Sequence, residues 1–155
     1  MSPLRTAQLL ALFVPLALIG GALTSQYGFG LYPCEMCMWQ RWPHYTAILL
    51  ATLAYIVGPA RVPLVALAAL AIAVSGAIGA FHAGVEYGWW EGLTQCATTF
   101  GGEGSALDRI MNAPLIRCDV APWSLFGISL AGWNALFSLG AAFTISLLLL
   151  KGRRA

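Results

Sequence analysis

Four apolar stretches divide the chain, with short polar segments between them. They run from about Ala7 to Leu23, Trp42 to Val57, Val62 to Ala83 and Leu125 to Leu150. Each approaches the roughly 20 apolar residues that a helix needs to cross a bilayer core about 30 Å thick. None alternates with a period of two, which favours helices over barrel strands. The pattern predicts an all-α membrane protein, a single domain of residues 1–155 forming a four-transmembrane-helix bundle.

The composition agrees with a membrane protein. Hydrophobic residues make up 59% of the chain and charged residues only 9%, and the mean hydropathy is +0.77. These values lie far from those of soluble domains. There is no glycine motif for binding phosphate, so we expect no nucleotide cofactor. We also expect no nucleic acid partner.

The basic residues predict the orientation. Five of the eight lie before the first stretch, between the second and third, or after the fourth: Arg5, Arg61, Lys151, Arg153 and Arg154. The positive-inside rule makes that side cytoplasmic, with both termini on it. Loops of about 24–41 and 84–124 then face the other side. A cleaved signal peptide at the N-terminus is the alternative, and it would leave the first loop on the same outer side.

All four cysteines fall in the two outer loops: Cys34 and Cys37 in the first, Cys96 and Cys118 in the second. An even number of cysteines in an oxidising compartment indicates disulfides, and four cysteines allow three connectivities. Proximity in sequence suggests Cys34–Cys37 and Cys96–Cys118.

The first pair suits electron exchange better than stabilisation. A bridge across two residues closes a very small loop and removes little chain entropy. Thiol exchange needs a thiolate, which a nearby cation favours. Arg41 is the closest cation in sequence to the pair, four residues after Cys37. A charge at the membrane boundary is costly without a partner, so Arg41 is a candidate functional residue.

Several less specific interpretations stay open. The pair could be half of a zinc site completed by His44 or His82, although a second close pair of ligands is missing. Arg41 could simply extend its charge to the interface. His82 could be an ordinary histidine at a helix end.

The second loop contains one further pattern. The segment "SALDRIMNAP", residues 105–114, spaces apolar residues as in a helix beside Asp108 and Arg109. It predicts a short amphipathic helix on the membrane surface.

Three blocks carry a family resemblance: "PCEMCMWQR", "FHAGVEYGWWEGLTQC" and "RCDVAPWSLFGISLAGWN". Through all four spans the chain resembles the disulfide bond formation protein B (DsbB) family, bacterial inner-membrane oxidoreductases that couple thiols to a quinone. The resemblance implies a protein of the inner membrane whose redox-active loops face the periplasm. Its partners would be a periplasmic DsbA-like thiol oxidase, the membrane quinone and lipid.

The resemblance also implies residue roles. Cys96 would form the mixed disulfide with DsbA, and its partner Cys118 would then attack Cys34. Cys37 would face the quinone with Arg41 beside the quinone oxygens. His82 would lie near the same headgroup, by a weaker match. The acceptor would be ubiquinone or menaquinone, with no metal.

Two departures bear on the partner: 21 residues separate Cys96 from Cys118, and Gln40 stands where some relatives have an acid. A DsbI-type paralogue with a dedicated partner is therefore an alternative. An enzyme of the vitamin K epoxide reductase type is less consistent, because its CxxC lies late in the chain. A non-enzymatic scaffold with structural disulfides is the third alternative.

Overall fold

The computed structural model describes residues 2–93, 97–98 and 115–152. Most of this chain is helical, in four long helices: α1 (Pro3–Phe29), α2 (Glu35–Ile56), α3 (Arg61–Glu86) and α4 (Leu130–Gly152). Two short antiparallel ladders complete the described part. β1 (Ala97–Thr98) pairs with β2 (Leu115–Ile116), and β3 (Ser124–Leu125) pairs with β4 (Ile128–Ser129). Cys96 and the predicted amphipathic helix lie outside the described residues.

Three described segments are long and apolar enough to cross a membrane: Pro3–Phe29, Gly58–Glu86 and Leu130–Gly152. The second of these is α3 with the 3₁₀ turn Gly58–Ala60 in front of it. α2 has comparable length, but its first half carries Gln40, Arg41 and His44, which make it less apolar. An all-α membrane protein therefore fits the structure, with three candidate spans and a fourth, more polar helix.

The helices extend further into the first outer loop than the apolar pattern indicated. α1 continues to Phe29, where Gly30 adopts the left-handed conformation (φ 68°) and donates its N–H to Ser25 O. α2 begins directly after Cys34, which is its N-cap residue. Glu35 in the first turn complements the positive end of the helix dipole. Polar and aromatic residues are thus helical here because capping, and not hydropathy, determines where the helices end.

The fourth helix begins at Leu130, later than the apolar stretch that starts near Leu125. The intervening residues form the β3–β4 hairpin. Phe126 and Gly127 at its turn both have positive φ, 53° and 75°. Positive φ at both central residues is the type I′ turn that suits the twist of a two-residue hairpin. An apolar run can therefore contain a hairpin that periodicity alone does not distinguish from a helix.

The helices pack closely through small residues. α3 packs along both α2 and α4, while α1 packs against α4 and α2. The buried core is rich in alanine: Ala7, Ala11, Ala47, Ala51, Ala54, Ala68, Ala69 and Ala142. At Gly79 a Cβ atom would lie only 2.9 Å from Nδ2 of Asn134 and 3.0 Å from Ala131 O. This close approach of α3 to α4 brings polar side chains of three helices together.

Candidate functional site

The thiol pair lies at the N-terminus of α2. Sγ of Cys34 accepts a hydrogen bond from the backbone N–H of Cys37 at 3.3 Å, which caps the helix. The two sulfur atoms are 3.0 Å apart. A helix N-terminus favours negative charge, so this position supports a thiolate.

The two sulfurs differ in acidity. Both precede the apolar part of α2 that is predicted to span the membrane. The hydrogen bond with Cys37 and then burial raise the pKa of Cys34 to about 12. The same hydrogen bond lowers the pKa of Cys37, against the opposing effect of burial. Cys37 is therefore the sulfur that ionises first, and Cys34 keeps its proton.

Cys118 lies beside this pair. Cys34, Met36, Val85 and Cys118 form one buried cluster, against which Cys37 also packs. Cys34 is 4% exposed and Cys118 is 6% exposed. The segment leading to Cys118 is positioned by the ladder between β1 and β2. The structure thus brings a cysteine of the second outer loop next to the pair of the first, which sequence spacing alone could not indicate.

His82 contacts the same cluster from α3. Its Nε2 lies 3.6 Å from Sγ of Cys34, 3.2 Å from Cys118 O and 3.8 Å from Oε1 of Glu86. Its Nδ1 lies 2.8 Å from Nε2 of Gln40. The Gln40 amide nitrogen also donates to the carbonyl oxygen of Met36. His82 is 1% exposed, so its ring is enclosed on the thiol side of α2.

Ligand atoms of Cys34, Cys37 and His82 lie within 4.8 Å of one another and could hold a metal ion. Two sulfurs on one tetrahedral zinc are about 3.7 Å apart, given Zn–S bonds of about 2.3 Å. The observed 3.0 Å between Cys34 and Cys37 is shorter. The geometry therefore favours a dithiol poised to form a disulfide. His44, the other histidine of the zinc alternative, is not in this group.

A cavity of about 240 Å³ lies on the other side of Cys37, between α1, α2 and α4. Most of its lining is apolar, including Ile19, Leu31, Pro122 and Phe137. The polar residues in its lining include Cys37, Gln40, Arg41, His44 and Asn134. His82 is not among the described residues that line this cavity. Cys37 thus borders both the thiol cluster and the cavity.

Arg41 is held in the cavity wall by α1. It is 8% exposed, and its guanidinium donates to Oε1 of Gln26 at 2.7 Å and to Ala22 O at 3.3 Å. No carboxylate pairs with it among the described residues. Two of its five N–H groups are thereby used within the described chain. Arg41 therefore supplies an uncompensated positive charge next to Cys37.

A polar network connects the two sides of α2. Nδ2 of Asn134 donates to Oε1 of Gln40 at 2.8 Å, and Nε2 of His44 lies 2.9 Å from Oδ1 of Asn134. Ser75 and Ser138 hydrogen bond to the same asparagine. Sequence reasoning assigned no role to this network. The sequence feature that could have indicated the network is the i, i+4 spacing of Gln40 with His44 and of Asn134 with Ser138. This spacing puts each polar pair on one helix face.

Two buried polar atoms on the cavity lining have no hydrogen-bond partner among the described residues: Nδ1 of His44 and Nε1 of Trp133. Buried polar groups are nearly always hydrogen bonded. Both residues line the cavity, so their unpartnered nitrogens are candidate contacts for a molecule that carries polar atoms. The cavity thus combines an apolar lining, one cation and unpartnered polar groups.

Comparisons with known proteins give a family for this chain. Disulfide bond formation protein B of Actinobacillus pleuropneumoniae serotype 5b (strain L20) is 54% identical over 37 residues, 24% of this chain. The aligned part covers 21% of that relative's length. No solved structure gives a significant match. The family model "Disulfide bond formation protein DsbB" matches residues 4–148. That match covers nearly the whole chain, and the protein therefore belongs to the DsbB family.

Proposed function

We propose that the protein is a membrane thiol oxidase that reoxidises a periplasmic DsbA-like thiol oxidase and passes the electrons to a membrane quinone. The observation that carries this proposal is the position of Cys37. Its sulfur lies 3.0 Å from that of Cys34, and Cys37 also lines the cavity that contains Arg41. One residue thus borders both a thiol cluster and an apolar cavity with a positive charge.

The proposed order of thiol exchange follows from the positions of the cysteines. A thiolate of the reduced partner attacks the Cys96–Cys118 disulfide at Cys96, and the Cys118 sulfur leaves. Cys118 then attacks Cys34 and releases the Cys37 thiolate. The packing of Cys118 with Cys34 in one buried cluster supports this second step. The β1–β2 ladder supports the Cys96–Cys118 pairing, because Ala97, the residue after Cys96, pairs with Ile116.

The last step moves electrons to the quinone. The second thiol of the partner displaces Cys96, and the freed Cys96 thiolate attacks Cys118 in the Cys118–Cys34 bond. Cys34 leaves, so Cys96 and Cys118 are joined again and Cys34 and Cys37 are reduced. Cys34 and Cys37 then form their disulfide, which releases two electrons and two protons. A quinone, ubiquinone or menaquinone, takes up both. Arg41 stabilises the negative charge that develops on the ring oxygens. DsbA is a strong oxidant with a reduction potential of about −120 mV, so its reoxidation requires a strongly oxidising acceptor such as a quinone.

His82 is assigned to the thiols in this proposal. Its Nε2 lies within 3.6 Å of Cys34 Sγ and 3.2 Å of Cys118 O, and His82 is absent from the described lining of the cavity. It therefore orients the exchange between Cys118 and Cys34. The family resemblance had instead suggested a position near the quinone headgroup.

Membrane topology is part of the proposal. The charge distribution supports cytoplasmic termini and loops that face the periplasm of a bacterial inner membrane. A reporter fused after Ala155 should therefore be active only in its cytoplasmic form. A periplasmic reporter signal would contradict this orientation.

The direct test is quinone reduction by the purified protein in detergent, with reduced DsbA as the electron donor. We expect turnover, followed by quinone absorbance, that requires all four cysteines. Cys37→Ser should abolish quinone reduction while leaving a mixed disulfide with DsbA at Cys96. Quinone reduction by Cys37→Ser would refute the electron path. Turnover with a small dithiol but not with DsbA would indicate a dedicated partner.

A further inference from the structure

His44 offers a polar contact that has no role in the proposed thiol exchange or electron transfer. The side chain lines the cavity, is 3% exposed and has an unpartnered Nδ1. We propose that this nitrogen accepts a hydrogen bond from the hydroxyl group that a quinone gains on reduction. The cavity then binds the reduced ring more tightly than the oxidised ring. The inference rests on the proposed function, because it needs a quinone in this cavity.

The hydrogen-bond partners of Asn134 determine the orientation of its side-chain amide. Its Nδ2 lies 3.2 Å from the backbone oxygen of Ser75 and 2.8 Å from Oε1 of Gln40. A backbone oxygen can only accept, so the nitrogen of Asn134 must face it. Gln40 is fixed in the same way, because its own nitrogen donates to Met36 O.

The orientation of the Asn134 amide determines the tautomer of His44. With the amide so oriented, Oδ1 of Asn134 faces Nε2 of His44 at 2.9 Å. The amide oxygen only accepts, so Nε2 carries the hydrogen. A neutral imidazole with its hydrogen on Nε2 has a bare lone pair on Nδ1. That atom can accept a hydrogen bond but cannot donate one.

The surroundings of His44 determine whether its imidazole ring carries a charge. The titratable or charged side chains that line the cavity with His44 are Arg41 and Cys37 on α2 and Tyr32 just before it. The polar neighbours on α3 and α4, Ser75, Asn134 and Ser138, are uncharged. Burial disfavours a positive charge on the imidazole, which is 3% exposed. Nδ1 therefore remains an acceptor while the ring of the substrate changes its oxidation state.

Reduction changes the hydrogen bonds that the quinone oxygens can make. An oxidised quinone presents two carbonyl oxygens, which only accept hydrogen bonds. Reduction adds the electron pair and two protons released by Cys34 and Cys37, and each oxygen becomes a hydroxyl that can donate. Nδ1 of His44 can pair only with that hydroxyl. The indole N–H of Trp133, the second unpartnered group, can pair with either form and does not discriminate.

The test is steady-state turnover with a benzoquinone that carries a ten-carbon tail, with its quinol added as product inhibitor. His44→Leu should raise the inhibition constant of the quinol about tenfold, the size of one lost hydrogen bond in a buried site. The KM for the quinone should stay within about threefold. Tyr45→Phe, next to His44 but outside the cavity lining, should change neither constant. Equal increases in both constants, or no change in either, would overturn the inference.

A second measurement uses the unaltered protein. The chain contains two histidines, so nitrogen NMR of labelled histidine is simple to assign with His82→Gln. Adding quinol should shift the Nδ1 signal of His44 towards the hydrogen-bonded value, and adding quinone should not. An unchanged Nδ1 signal with saturating quinol would overturn the inference even if His44→Leu does not fold. Absence of turnover in the unaltered protein would instead refute the proposed function itself.

Discussion

The amide nitrogen of Gln40 lies 2.8 Å from Nδ1 of His82 and donates a hydrogen bond to it. The neutral imidazole therefore carries its hydrogen on Nε2, the atom that is 3.6 Å from Sγ of Cys34. A carboxylate at position 40 would favour a protonated ring instead. The amide hydrogen bond to Nδ1 leaves Nε2 of His82 as the nitrogen that donates towards the sulfur.

Loss of this contact should slow thiol exchange more than it weakens quinone use, to which Gln40 also contributes from the cavity lining. Gln40→Leu frees His82 to adopt either tautomer and removes a hydrogen bond of about 1 kcal/mol. We expect reduction of the Cys34–Cys37 disulfide by DsbA to slow roughly fivefold in stopped-flow measurements. Gln26→Leu, which removes the partner of Arg41, should show the opposite pattern, with a raised quinone KM and normal thiol exchange. Identical effects of the two variants would argue against separate roles.

Arg41 should act on the quinone. Arg41→Leu removes a charge-assisted contact, and we expect kcat/KM for the quinone to fall tenfold or more, about 1.4 kcal/mol. Arg117→Leu is the matched control, because Arg117 is exposed and pairs with Asp119. The control should leave the quinone KM unchanged. Normal quinone kinetics in Arg41→Leu would remove Arg41 from the site.

The unequal acidity of the two thiols is testable by titration. In reduced protein with Cys96 and Cys118 changed to serine, one thiolate should form below the ordinary thiol pKa and the other only near pH 12. Cys34→Ala removes the donor that stabilises the Cys37 thiolate, so the pKa of Cys37 should rise. Ultraviolet absorbance of the thiolate measures both transitions. A Cys37 pKa that stays the same or falls in Cys34→Ala would contradict the hydrogen bond.

Two glycines give a matched pair for helix packing. A Cβ at Gly79 would lie 2.9 Å from Nδ2 of Asn134 and 3.1 Å from Oε1 of Gln40, whereas a Cβ at Gly140 meets nothing within 4 Å. Gly79→Ala should destabilise the protein by about 1–3 kcal/mol. Gly140→Ala should be neutral or stabilise it by up to about 1 kcal/mol. Thermal unfolding in detergent compares the two, and equal melting temperatures would refute the close contact.

The sequence allowed much of this arrangement to be predicted. Hydrophobic length predicted helices, and the CxxC followed by Arg41 predicted a thiol next to a cation. The proximity of Cys118 to Cys34 was implied by the family resemblance and not by residue spacing, because it depends on the β1–β2 ladder. The hairpin before α4 was missed because its residues are as apolar as the helix that follows.

The roles of Gln40 and Asn134 were missed for another reason. A polar residue inside an apolar span lowers hydropathy without indicating its partner. The partner is determined by the close packing of α3 against α4 at Gly79. Only the tertiary structure therefore turns isolated polar residues into a network with defined tautomers.

The position of Cys37 also has a kinetic consequence. The thiol cluster lies against α3, whereas the cavity lies between α1, α2 and α4. The protein donor and the lipid-soluble acceptor therefore approach different faces of α2, and neither has to leave before the other binds. Both substrates can be bound at once, but the partner is oxidised and released before Cys34 and Cys37 reduce the quinone, so reciprocal plots of rate against either concentration should run parallel. The enzyme would then follow a two-site ping-pong mechanism, in which Cys37 passes electrons from the thiol cluster to the cavity.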